Sequence, residues 1–113
     1  MIPPRLLKKL AERLTAQTRD GSVSWHKERS DMQRYVHDLA GGQIVVYYNP
    51  SRGGPDTIEL AVTDSRKQVI GSLGALENEP GYDDLADLVF EIQREQGETS
   101  RDVTDEILRL LKP

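Results

Sequence analysis

Apolar and polar positions along the chain follow two periods, and the places where one gives way to the other divide it into elements. Ile58-Glu59-Leu60-Ala61-Val62-Thr63 alternates, then Asp64-Ser65-Arg66-Lys67-Gln68 interrupts, and a second apolar run, Val69-Ile70-Gly71-Ser72-Leu73, follows. Alternation puts successive side chains on opposite sides of a strand, so this stretch predicts a β-hairpin with one wet face and one buried face. Upstream, Gln33 to Leu39 and Gln43 to Asn49 flank Gly41-Gly42, glycines able to take the positive φ of a hairpin turn. With those two as the loop, Leu39 pairs with Ile44, His37 with Val46 and Tyr35 with Tyr48 on one face. The other face then holds Val36 with Tyr47 and Asp38 with Val45. Ile44 to Tyr48 is apolar on both sides, which places it inside the sheet with something packed over each face. From Ser22 the period also drifts toward two, with Val23 and Trp25 opposite Ser24 and His26, so a short first strand is expected.

Helical spacing marks both ends. After Pro3-Pro4, residues Leu6, Leu7, Leu10, Ala11 and Leu14 recur three and four apart with basic residues between them, predicting an amphipathic helix that ends at Asp20-Gly21. Glu77-Asn78-Glu79-Pro80-Gly81 breaks the chain before a second helix that starts near Asp83 as N-cap. Its inner stripe is Leu85, Leu88, Val89 and Ile92, and Phe90 falls outside that stripe. Gly97 ends it, Thr99 or Ser100 caps the next, and Val103, Ile107, Leu110 and Leu111 form a third stripe up to Lys112. The segment from Asn49 to Asp56 is dense in turn residues and reads as an exposed, mobile loop.

The order α-β-β-β-β-β-α-α, with close and briefly connected strands, predicts an α+β fold. It is an antiparallel meander of four to five strands with one N-terminal and two C-terminal helices packed mainly on one face. A chain of 113 residues matches a single domain spanning 1–113.

Composition narrows the function classes. The chain lacks cysteine, so packing and hydrogen bonds carry its stability, which suits a reducing cytoplasm. Its longest apolar run, Ile44 to Tyr48, is far short of the ~20 residues that span a membrane, and no basic-then-apolar leader opens it. The expected setting is therefore soluble and cytoplasmic, with no membrane partner. The net charge of -4 is uneven: residues 1–76 hold eleven Lys or Arg against eight Asp or Glu, and residues 77–113 hold four against eleven. An acidic C-terminal third argues against general phosphate binding and fits solvated helix faces or a partner with a basic surface.

Candidate chemistry is sparse. His26 and His37 lie near Glu28, Asp31 and Asp38, but the spacing matches no familiar ligand pattern. No serine sits in a strained nucleophile elbow, and Asp83-Asp84 is accounted for by capping. Gly41-Gly42 and Gly53-Gly54 lack the lysine and hydroxyl of a phosphate loop. The expectation is no catalytic residue, no metal and no cofactor. The cluster with most binding character is Trp25-His26-Lys27-Glu28-Arg29 with Arg34, Tyr35, Tyr47 and Tyr48, because Trp, Tyr and Arg combine contact area with polar handles. Trp25, Arg29, Arg34, Tyr48 and Phe90 are the candidate binding residues. Against that stands the small stock of six aromatics, which the core also requires.

The leucine-rich first helix, Gly21-Ser22-Val23-Ser24-Trp25-His26-Lys27, the pattern Ile58-x-Leu60-x-Val62-x-Asp64, Val69-Ile70-x-Ser72-Leu73 and the closing Asp105-x-Ile107-Leu108-x-Leu110-Leu111 together resemble a loose group of small uncharacterised bacterial α/β proteins. That resemblance implies a bacterial cytoplasmic protein without known catalytic residues, linked to mobile elements or toxin conflict. The functional expectation is a non-catalytic protein-interaction module of immunity, inhibitor or accessory type. It would bind another protein through the sheet face or the acidic C-terminal helices, and homodimerisation through a sheet edge is compatible with it. The alternative expectation is nucleic-acid binding by the basic N-terminal helix and the Trp25–Arg34 region, which the acidic balance disfavours. A small enzyme is a third.

Overall fold

A computed structural model of the protein describes residues 1–28, 33–50, 53–97, 107 and 109–111. Helix α1 covers Pro4–Asp20, with Pro4 at a position whose N–H would have no helical partner. Gly21, at φ 86, closes it and donates its N–H to the Thr18 carbonyl, a left-handed cap that glycine adopts without a Cβ penalty. The buried stripe is Leu7, Ala11, Leu14 and Thr18, at spacings of four, three and four. Leu6, expected on that stripe, is exposed, because the residue before Leu7 points about 100° round the helix.

Five strands and a second helix follow: β1 His26–Lys27, β2 Arg34–Leu39, β3 Gly42–Asn49, β4 Thr57–Asp64, β5 Val69–Leu76 and α2 Tyr82–Glu95. All neighbours pair antiparallel in the order β1-β2-β3-β4-β5, a meander. Helical conformation returns at Ile107 and at 109–111, in the second C-terminal helix of the α+β fold. The rest of that helix, Val103 included, lies outside the described residues, as do Arg29 and residues 51–52 of the expected loop. The first strand is shorter than its alternation suggested: Val23 and Trp25 point inward as expected but precede the ladder, which begins at His26.

The β2–β3 register differs from the expected one by two residues. Leu39 pairs with Gly42, His37 with Ile44, Val36 with Val45, Tyr35 with Val46 and Arg34 with Tyr47, so the turn is Ala40-Gly41. Gly42 is in the ladder because the neighbouring chain requires a glycine there. A Cβ on it would stand 1.9 Å from the Thr63 carbonyl oxygen, and neither Gly41 nor Gly42 has a positive φ. A slip of two preserves parity, so every side chain keeps its expected face.

At the β4–β5 turn the Asp64 carboxylate accepts the N–H groups of Arg66 and Gln68 at 2.9 and 3.0 Å. Lys67 there holds a left-handed φ of 62. Ile70 is the extra residue of a bulge, since Val62 pairs with Gly71 and Thr63 with Val69. Helix α2 is capped by Gly81 at φ 90, two residues earlier than the expected Asp83, which instead sits with Asp84 in the first turn at the helix's positive end.

Both α1 and α2 lie on one face of the sheet. Tyr35, Ile44, Val46, Ile58, Leu60, Val62 and Ala75 meet Leu7, Ala11 and Leu14 of α1 and Leu85, Leu88, Val89 and Ile92 of α2 in one apolar core. The expected stripe of the second helix is buried in full.

Candidate functional site

Helices α1 and α2 leave the opposite face of the sheet uncovered, and its side chains fall into rows fixed by the register. The central row runs His26, Val36, Val45, Ala61 and Ser72 across the five strands. On one side of it stand Arg34, Tyr47, Glu59 and Gly74; on the other, Asp38, Gln43, Thr63 and Val69. Small residues between two rows of larger ones make a trough that crosses the strands. Its two walls are four residues apart along each strand, about 13–14 Å between backbones.

Val36, Val45 and Ala61 are only 1%, 6% and 9% exposed, yet they belong to no part of the helix-packed core. The open part is a pocket of about 310 Å³ lined by Arg34, Val45, Tyr47, Glu59, Ala61, Thr63, Lys67 and Val69. Val36 is missing from that lining, so the β2 end is closed and the β5 end is open. Each wall is braced by polar pairs. Arg34 forms an ion pair with Glu28; Gln43 donates from Nε2 to Asp38 Oδ1 at 2.9 Å, and His26 Nδ1 lies 3.7 Å from Asp38 Oδ2. Among the described residues Glu59 and Lys67 have no ion-pair partner.

The candidate residues from the sequence are not brought together. Arg34 reaches the trough, and Tyr47, its direct cross-strand neighbour, joins it there. Tyr48 points to the helical side, packs on the core and donates its hydroxyl to Asp56 Oδ2 at 2.9 Å. Burial, followed by that hydrogen bond and the Asp56 charge, pushes its phenol up to about 12. Phe90 is half-buried on α2, outside the core. Arg29 lies outside the described residues. The trough residues Val45, Glu59, Ala61 and Thr63 were visible in the alternation, as the side of each strand facing away from its large aliphatics.

Trp25 is 5% exposed and joins three elements. Its indole Nε1–H donates to Thr18 Oγ1 on α1 at 2.9 Å, and its backbone N–H donates to the Glu95 carboxylate at 3.2 and 3.3 Å. Gln96 Nε2 donates to its carbonyl, and its ring lies tilted against His37, 5.7 Å between centroids. His37 Nδ1 is itself 2.8 Å from the Ser24 carbonyl, a structural contact.

Two acidic residues of the C-terminal end, Glu91 and Glu95, are likewise engaged internally. Glu91 is buried, with Oε1 3.1 Å from Arg19 Nε and Oε2 3.3 Å from an Arg94 guanidinium nitrogen. Glu98 lies outside the described residues. Among the described residues no three His, Asp or Glu gather as a metal set, and no helix is long and apolar enough to cross a membrane. No protein-family model, curated protein or solved structure matches the chain.

Proposed function

We propose that the protein is a non-catalytic interaction module that binds another protein by taking a helix of that partner into the trough on its helix-free sheet face. The observation that supports this reading is the row Val36, Val45 and Ala61, aliphatic and set between two polar walls on a face that the protein's own helices α1 and α2 leave bare. A helix suits the trough because its backbone hydrogen bonds are satisfied internally, whereas an extended peptide laid on a sheet face would lose water without gaining ladder partners. A single ridge of helix side chains occupies one groove, and the walls are spaced for one ridge. Tyr47 and Arg34 on one wall are residue types that concentrate binding energy. The walls carry both signs, through Arg34, Lys67, Glu59 and Asp38, which favours a mixed protein surface over a polyanion.

Ala61→Arg tests this directly. It projects a long cation from the floor into the trough without touching the helical core. A tagged chain purified from its native host should retain a stoichiometric protein partner, and A61R should weaken that association at least about tenfold with unchanged circular dichroism. A partner held equally well by both proteins refutes the trough.

A further inference from the structure

The described part of the C-terminal helix presents Ile107, Leu110 and Leu111 to solvent, at 43%, 81% and 75% exposure. Spaced i, i+3 and i+4, they line one side of a helix, the ridge a groove accepts. One chain thus carries both a trough that α1 and α2 leave uncovered and an apolar helix ridge exposed to solvent. We infer that the trough of one copy is filled by the Ile107–Leu111 ridge of a second copy, reciprocally, giving a two-fold dimer; this rests on the trough being a helix-binding site.

Two observations favour this occupant over other ways of joining two copies. The outer edge of β5 is stoppered at both ends: Ile2 N–H donates to the Ile70 carbonyl at 2.8 Å, and Glu79 takes the Leu76 N–H on its carboxylate at 2.6 Å and gives its own N–H to the Leu76 carbonyl at 2.9 Å. Continuous pairing along that edge is blocked. Packing the two bare faces directly together offers too little surface. Strands of eight residues across four strands present about 500 Å², against the roughly 800 Å² per partner of a stable interface. Reciprocal exchange adds a helix ridge to the face that each copy contributes, and a two-fold axis forms the contact twice.

Light scattering on the full chain over a concentration series reads the outcome. The wild type should have twice the monomer mass. The double variant L110D/L111D, altering side chains that are exposed in the monomer, should raise the dissociation constant about tenfold or more, and A61R should do the same. A monomer at all concentrations up to about 1 mM, or a dimer indifferent to L110D/L111D, overturns the inference. A monomer that nonetheless loses a heterologous partner on A61R overturns the second copy as occupant while leaving the trough as the binding site. A monomer in which L110D/L111D unmasks the amides of β3 and β4 to hydrogen exchange also overturns it, because the helix then covers its own sheet.

Discussion

Trp25 holds together α1, α2 and β2 through groups that other aromatics lack. Replacing it with Phe removes the indole N–H and leaves the buried Thr18 hydroxyl without that donor, so Trp25→Phe should cost about 1–3 kcal/mol in urea unfolding. Gly42 faces a harder limit. Gly42→Ala sets a methyl against the Thr63 carbonyl and should destabilise by about 3 kcal/mol or prevent folding, whereas Gly41→Ala, with open space around it, should change little. Tyr48 sets an alkaline boundary. Its folded phenol titrates near 12, above the ordinary value near 10, so its contribution is fully present below about pH 10 and is lost as pH climbs through 12. Stability measured from pH 9 to 12 should fall, and Tyr48→Phe should flatten that fall. Tyr82, raised first by burial and then by Asp56, Glu77 and Asp83, supplies a residual slope.

In α2 the acidic residues look alike in sequence and behave differently in space. Asp83 and Asp84 stand in the first turn, while Glu91 and Glu95 turn inward to Arg19, Arg94 and the Trp25 backbone. Charge reversal at Glu91 or Glu95 is therefore a test of folding before it is a test of binding. Glu91→Lys buries a cation beside two guanidinium groups and should cost about 3 kcal/mol or more, read as a drop in melting temperature. The hairpins show a similar division. The faces of β4 followed from alternation, because side-chain period is a local property, whereas β5 runs three residues past the expected Leu73 and carries a bulge at Ile70. The β2–β3 turn did not, because the close backbone approach that demands a glycine at position 42 comes from Thr63, twenty-one residues away.

Across the molecule, the two sheet faces hold aliphatics of similar burial for different reasons. Leu60 is covered by helices, and Leu60→Ala should leave a cavity costing about 2–5 kcal/mol. Val45 lies outside the helix-packed core and lines the open pocket, so Val45→Ala should cost less than about 1.5 kcal/mol in the same unfolding experiment. Equal losses at both positions would mean that the trough is packed as tightly as the core. Large apolar side chains are exposed where that packing is thin: Tyr47, Val69 and Leu76 on the face away from α1 and α2, and Leu110 and Leu111 on the C-terminal helix.

The order of elements, the type of each and the inward side of nearly every one could be read from the chain, since periods of two and 3.6 depend on neighbours in sequence. Five of the residues that line the trough, Val45, Tyr47, Glu59, Ala61 and Thr63, were placed on one side of their strands by the same alternation. What alternation cannot supply is which side the helices choose, since β3 is apolar on both. That choice arises when α1 and α2 bury their stripes together against the face with Tyr35, Ile44, Ile58 and Leu60, the larger apolar surface, leaving the smaller valines and alanine bare. The withdrawal of Trp25 and Glu91 into the interior has the same origin: their partners Thr18, Glu95 and Arg19 come from distant parts of the chain and meet them only when the layers close.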